Sequence, residues 1–155
     1  MLEKTLVILK PDAITRGLTW EITERFEKKW LKLVASKMIS LDNETLEEHY
    51  DHLRDKPFFS SIVDYMTSSP VIVQIWEWAE AVDVVRLMIW VTNPRQAQPG
   101  TIRWDYAMSI WRNVVHASED RETAESEIKR FFSEEEIFSY KRTDESMLYE
   151  EEDNK

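Results

Sequence analysis

Thr5-Leu6-Val7-Ile8-Leu9, followed at once by Lys10-Pro11-Asp12, decides how this chain reads. The run is apolar and β-branched, as a buried strand requires, and Lys-Pro-Asp stops it in a loop. Downstream, Ile22 and Phe26 stand at i, i+4 among charged residues, which predicts a surface helix over about 19–29. Leu31, Leu33 and Ala35 alternate with polar neighbours, predicting a half-buried strand over about 32–39. Leu46, Tyr50 and Leu53 then recur at helical spacing behind Asp42-Asn43, two good capping residues. Pro57 opens a second short helix whose apolar side is Phe58, Phe59, Ile62, Val63 and Met66.

The remaining elements continue the alternation. Ser68-Ser69-Pro70 turns the chain into a third strand, Val71-Ile72-Val73-Gln74-Ile75-Trp76, and a helix over about 80–89 presents Val82, Val85 and Met88. From Val91 to Asn113 the pattern is irregular, with Pro94, Pro99 and Gly100, and a loop of that length is usually functional or disordered. Val114-Val115 reads as a short strand running into His116; Ala124, Ile128 and Phe131 mark another helix. Ser133-Glu134-Glu135-Glu136 has the capping-box form of a short last one. The acidic tail from Asp144 to Lys155 is expected to fray or to wrap a neighbour. The order β-α-β-α-α-β-α-β-α, without repeat or linker, predicts one domain over residues 1–155. Its fold class is α/β, a ferredoxin-like sandwich with a four-stranded antiparallel sheet covered by helices.

Composition narrows the function. The 155 residues suffice for a buried core, and no apolar run approaches the ~18 residues of a membrane span. The first residues enter directly on the strand, so no secretory signal is seen and a cytoplasmic location is the expectation. Cysteine is absent, which removes disulfides, thiol catalysis and cysteine-ligated zinc. A formal charge of −10 argues against a broad grip on nucleic acid or an anionic membrane. It leaves room for a small basic pocket.

Taken singly, no residue carries a function: most lone histidines are structural, and most loop lysines and helix arginines are solvated. The constellation says more. Lys10 at a strand end, Arg86 and Arg103 in and before the long loop, Thr92 and Asn113 within it and His116 at its close can converge on a polyphosphate. A neutral imidazole is a competent nucleophile near pH 7 and can carry a phosphoryl group covalently. With no glycine-rich phosphate loop, side chains would hold the phosphates. No metal-ligand cluster is visible in the spacing.

Six blocks make the pattern specific: Lys10-Pro11-Asp12-Ala13, His49-Tyr50, Lys56-Pro57-Phe58-Phe59, Thr92-Asn93-Pro94, Pro99-Gly100-Thr101-Ile102-Arg103 and Arg112-Asn113-Val114-Val115-His116-Ala117-Ser118. In order and spacing they resemble the motifs of nucleoside diphosphate kinases, from about Glu3 to Tyr149. The resemblance implies that His116 takes the γ-phosphate of a nucleoside triphosphate and passes it to a diphosphate. It implies that Glu127 orients the histidine with Ser118 beside it, and that Lys10, Tyr50, Arg86, Thr92, Arg103 and Asn113 line phosphates and sugar. Phe58 would stack on the base with Ile62 behind it, which suits broad base specificity. Mg²⁺ would ride on the nucleotide phosphates rather than in a protein cage, so no metal-binding residues are assigned. The chain would be a homo-oligomer, a hexamer or tetramer, with Pro94 in a loop often involved in assembly. Its partners would be nucleoside tri- and diphosphates, with neither membrane nor nucleic acid.

Three features depart from that pattern. His52 stands where the family commonly has an acidic residue, and Ala117 where many relatives have glycine. The third is larger: the chain has 2 glycines and 7 tryptophans, and Trp20, Trp30, Trp78, Trp90, Trp104 and Trp111 all stand where the family usually has glycine. An indole at such a turn costs of order 1–3 kcal/mol in strain or overpacking, so six would rival the ~5–15 kcal/mol stability of a whole domain. Three readings account for this. The chain has been redesigned or has repacked around the indoles; or it is an impaired relative, a nucleotide-binding or scaffold protein in which Trp104 and Trp111 obstruct the site; or a gene that reads UGA as glycine has been translated with UGA as tryptophan. The third is preferred, because drift does not choose tryptophan at every glycine site.

Overall fold

The computed structural model describes residues 2–147. Its sheet has four strands, β1 (Leu2–Leu9), β2 (Lys32–Ile39), β3 (Val71–Ala79) and β4 (Val115–Ala117), in the order β2-β3-β1-β4 with every pairing antiparallel. The register sets Leu6 opposite Ile75 on one side, and Ile8 opposite His116 on the other. This is the expected ferredoxin-like sandwich.

Among the described residues, seven α-helices cover the sheet: α1 (Pro11–Thr15), α2 (Thr19–Lys28), α3 (Asn43–His49), α4 (Phe59–Met66), α5 (Ala81–Ile89), α6 (Ile102–Tyr106) and α7 (Arg121–Phe131). Strand alternation sends Val7 and Leu9 into a core with Ile22 and Phe26 of α2, Val85 and Ile89 of α5 and Ile102 of α6. Leu6 and Ile8 go to the other face, against Leu46 of α3, Met66 of α4 and Ile128 and Phe131 of α7. Both faces being covered, β1 is apolar continuously rather than alternately. Trp76, the one tryptophan at an ordinary apolar position, is fully buried with its ring centroid 5.3 Å from that of Phe26.

Several local readings need correction. Lys10-Pro11-Asp12 is not a plain loop: Pro11 is the first residue of α1, its missing N–H being one a helix start does not use. Pro57 precedes rather than opens α4, which begins at Phe59. In α5 the buried anchor is Ile89 rather than Met88. The 91–113 segment holds a 3₁₀ turn at Pro94–Gln96 and the helix α6, whose five residues are too few to show a period. Val114 is not in the strand; its φ is +63°, and β4 starts at Val115. Asp42 caps α3, accepting from the Thr45 N–H at 2.8 Å, and Ser133 and Glu136 form their capping box around a 3₁₀ turn. Of the acidic tail, Arg142 holds Asp144 at 2.8 Å, and residues 148–155 lie outside the described chain.

The tryptophans divide. Trp30 follows α2 in a Schellman motif, with Trp30 N–H donating to Glu27 O at 2.9 Å and Leu31 N–H to Phe26 O at 3.2 Å. Its φ is +75°, the left-handed conformation for which glycine is the usual residue. Trp90 ends α5 at φ +68°, ψ −159°, a region populated almost only by glycine. The two retained glycines, Gly17 and Gly100, also have positive φ, +70° and +89°. Trp20 and Trp111 expose 77% and 52% of their surface, an unusual place for so large an apolar group. Only positions 30 and 90 have backbones that call for glycine; Trp20, Trp78 and Trp104 lie within α2, β3 and α6, so the backbone strain expected at six sites is present at two. Trp30→Gly and Trp90→Gly should each raise unfolding stability by about 1–3 kcal/mol, measured by denaturant titration. Intact-mass analysis of protein from the source organism should find glycine masses at the six sites, and a mass matching six tryptophans sinks the translation reading.

Candidate active site

The end of β1 and the segment before β4 meet around one cavity. Lys10 N–H donates to Val114 O at 2.9 Å, and Lys10 Nζ donates to Asn113 Oδ1 at 2.7 Å. Asn113 Nδ2 in turn donates to the Thr92 and Ile110 carbonyls at 3.1 and 3.0 Å, so the long loop is closed over its own side chain. Asp12 ties the same corner together: Oδ2 accepts the Val114 N–H at 3.2 Å, and Oδ1 accepts the Tyr65 hydroxyl. These bonds hold Val114 at a positive φ that a β-branched residue adopts only under strain, two residues before His116.

The cavity has a volume of about 440 Å³, within the range of small-molecule sites. Lys10, Tyr50, Phe58, Ile62, Thr92 and Asn113, all expected site residues, line it together. So does Trp111, whose ring centroid lies 5.1 Å from that of Phe58 at 52°. Trp104 is 44% exposed and does not line the cavity, so only one of the two suspected obstructions stands at the site.

A cationic layer lies beside it. Arg103 is buried, donating to Trp90 O at 2.9 Å and Val115 O at 2.8 Å. Burial lowers its guanidinium to about 10, with the charge of Arg86 on α5 adding to the effect. Lys10 is lowered to about 7, by burial first and then by Arg103, against the opposing charge of Asp12. Burial pushes the Tyr50 hydroxyl well above its ordinary range, so it stays protonated. Cations crowded this closely are held apart from water at a cost that an anion would relieve.

His116 sits on β4, on the face that α3 and α7 cover. Its Nε2 is 2.9 Å from Glu127 Oε1, and Ser118 Oγ donates to Glu127 Oε2 at 2.6 Å. Ser118 is itself anchored to β1, its N–H donating to Leu6 O at 3.1 Å. Burial alone would raise the Glu127 carboxyl, but the His116 hydrogen bond, the neighbouring imidazole charges and the Ser118 hydroxyl hold it down at about 2. A carboxylate on Nε2 puts the ring proton there and leaves Nδ1 with its lone pair.

Sequence reasoning assigned no role to His49. Its ring meets that of His116 edge-on, with centroids 4.6 Å apart, and burial with the nearby cationic groups lowers it to about 3. One donor atom each from His49, His116 and Glu127 lies within 4.8 Å of the others, a cluster that positions 49, 116 and 127 could not reveal. For Glu127 a signal did exist: it is the charged member of the buried stripe Ala124, Glu127, Ile128 and Phe131 on α7.

This arrangement has close counterparts. Residues 3–137 match the profile of the family described as nucleoside diphosphate kinase. The chain belongs to the nucleoside diphosphate kinase family. It is 55% identical to the nucleoside diphosphate kinase of Parabacteroides distasonis over 148 residues, spanning 96% of this chain and 97% of that one. With the Archaeoglobus fulgidus enzyme it shares 48% over 150 residues, 97% and 99% of the two chains. Among solved structures, the halophilic nucleoside diphosphate kinase from Halobacterium salinarum in complex with CDP superposes with a TM-score of 0.93 at 40% identity, covering 97% of this chain and all of that one. Nucleoside diphosphate kinase activity on nucleotide substrates follows from this membership.

Acid should act on the kinase through Glu127. Its folded pKa, about 2, lies below the ordinary carboxylate value of 4.5, so the folded state binds fewer protons than the unfolded one between these limits. Its contribution to stability, about 3 kcal/mol, is present above pH 4.5 and lost as pH falls toward 2. Glu127→Gln is expected to flatten the fall of unfolding free energy over that window, measured by denaturant titration at stepped pH.

Proposed function

We propose that this nucleoside diphosphate kinase works by a ping-pong route through phospho-His116. The reading rests on one observation: a histidine held by a buried carboxylate at 2.9 Å, two residues past the Val114 turn that Lys10 and Asp12 tie to a cavity lined by Lys10, Tyr50, Thr92 and Asn113, which His116 itself does not line. His116 Nδ1 attacks the γ-phosphorus, the bond to the β,γ-bridging oxygen breaks, and the nucleoside diphosphate leaves. An oxygen of a second diphosphate then attacks phospho-His116 and regenerates the imidazole. Glu127 stabilises the ring as it gains charge, and Ser118 keeps the carboxylate in place. Lys10, Arg86 and Arg103 offset phosphate charge; Tyr50, Thr92 and Asn113 bind phosphate or sugar; the base stacks on Phe58 with Ile62 behind it.

The donors here are cationic or amide groups, which suit phosphate oxygens rather than a bare cation. Mg²⁺ would be carried on the nucleotide phosphates, where it would supply charge neutralisation. Residues 1–155 act as one domain, assembled as a hexamer or tetramer in the cytoplasm. No helix among the described residues is long and apolar enough to cross a membrane.

Protein mixed with Mg²⁺ and γ-labelled ATP should acquire acid-labile, base-stable label that chases to added GDP. His116→Ala should acquire none, and a folded wild type without label overturns the route.

A second reading, a nucleotide-binding scaffold with a blocked site, draws on Trp111, whose indole packs at a tilt against Phe58, on which a base would stack. Displacing such a ring pair costs about 0.5–1.5 kcal/mol, roughly two- to tenfold in affinity. Trp111→Gly should therefore lower KM for nucleoside diphosphates by about that factor, measured by coupled assay; an unchanged KM removes Trp111 as an obstruction.

A further inference from the structure

A second cavity of about 410 Å³, termed the rear cavity, shares no lining residue with the nucleotide pocket and is lined in part by His49, His52, Glu119, Glu122 and Glu127. Three carboxylates in its lining, against the single guanidinium of Arg130, make it attractive to cations. At its inner end the His49 side chain is 1% exposed, with Nδ1 3.6 Å from Glu127 Oε1, and its Nε2 has no hydrogen-bond partner among the described residues. His116 Nε2 approaches the same carboxylate oxygen at 2.9 Å.

Two imidazoles and a carboxylate are the donor set of a common class of zinc site. The separations of 2.9 and 3.6 Å bracket the ligand–ligand spacing that zinc bonds of about 2.0–2.1 Å produce in a tetrahedron. The orienting bond from Ser118 Oγ to Glu127 Oε2, 2.6 Å, leaves the other carboxylate oxygen facing the imidazoles. One group competes: an Arg130 guanidinium nitrogen lies 3.2 Å from His49 Nδ1, while Arg130 Nε pairs with Glu48 at 2.9 Å.

We propose that His49, Glu127 and His116 form an inhibitory site for zinc or a similar imidazole-seeking divalent cation, entered through this rear cavity. The cation takes the place of Arg130 at His49, and Arg130 keeps its pairing with Glu48. It also occupies the Glu127 oxygen and the His116 nitrogen whose contact orients the nucleophile. Binding at Nε2 requires the ring proton to move to Nδ1, which then has no lone pair with which to attack the γ-phosphorus, so phosphoryl transfer stops. Mg²⁺, which prefers oxygen ligands, does not compete. The inhibitory consequence rests on His116 as the phosphoryl carrier; the binding itself does not.

The first test uses metal-free wild-type protein and Zn²⁺ alone, in competition with a chromophoric chelator. One equivalent should bind in the presence of excess Mg²⁺, and Co²⁺ in its place should give the strong visible absorption of a four-coordinate site. Imidazole NMR signals of His49 and His116 should shift together on adding Zn²⁺. Phosphotransfer at saturating nucleotide should fall and recover with EDTA. His49→Gln should weaken zinc binding at least tenfold. Failure of wild type to bind, a shift confined to His52, binding unchanged in His49→Gln, or inhibition relieved by raising nucleotide each overturns the site. The binding, absorption and NMR readouts need no turnover, so their failure is distinct from failure of the phosphohistidine route.

Discussion

Burial of β1 on both faces is the constraint on which the rest of the molecule depends. Thr5 through Leu9 are each fully buried, with β3 paired along one edge and β4 along the other. Its alternation divides the molecule into two cores, one under α2, α5 and α6 and one under α3, α4 and α7. The reactive groups hang from the same strand. Lys10 is the residue just past its end, His116 pairs across from Ile8, and Ser118 bonds the Leu6 backbone. A strand that cannot slip without burying polar groups gives the site a frame accurate enough for positioned phosphoryl transfer.

On that frame the site spends stability in two ways. Val114 keeps a left-handed backbone, held by Lys10 and Asp12, so that the chain turns sharply from Asn113 into the nucleophile. Lys10, Arg103 and Arg86 repel one another in a part-buried corner, and the pKa of Lys10 falls to about 7 as a result of burial and that repulsion. Both costs are of the kind that bound nucleotide can repay, since phosphate oxygens favour the charged forms. The same compactness places His49 against His116, which joins the nucleophile to the rear cavity.

The tryptophans work against this economy. At positions 30 and 90 the backbone is one that an L side chain adopts with strain, while the hydrogen bonds around Trp30 are those of an ordinary helix ending. At position 111 the indole packs against Phe58 in the lining of the cavity. The fold accommodates these side chains by leaving Trp20, Trp30, Trp104 and Trp111 exposed, while Trp78 joins the core.

Much of the architecture was legible from order along the chain. Strand β2 falls on the expected 32–39, α2 and α7 follow their apolar spacings, and Asp42 and Ser133 cap as their positions require. These features depend on neighbours within a few residues, where periodicity and capping chemistry act directly. Six resembling blocks identified the family and brought six lining residues with it, although unaided spacing could not have joined Lys10 to Asn113 across 103 positions. The short helices α1 and α6 stayed hidden because five residues cannot display a helical period. Positive φ at Val114, the edge-on contact of His49 with His116 and the rear cavity depend on packing between distant segments. No local pattern encodes them, because their energies arise only when β1, α3 and α7 close on one another.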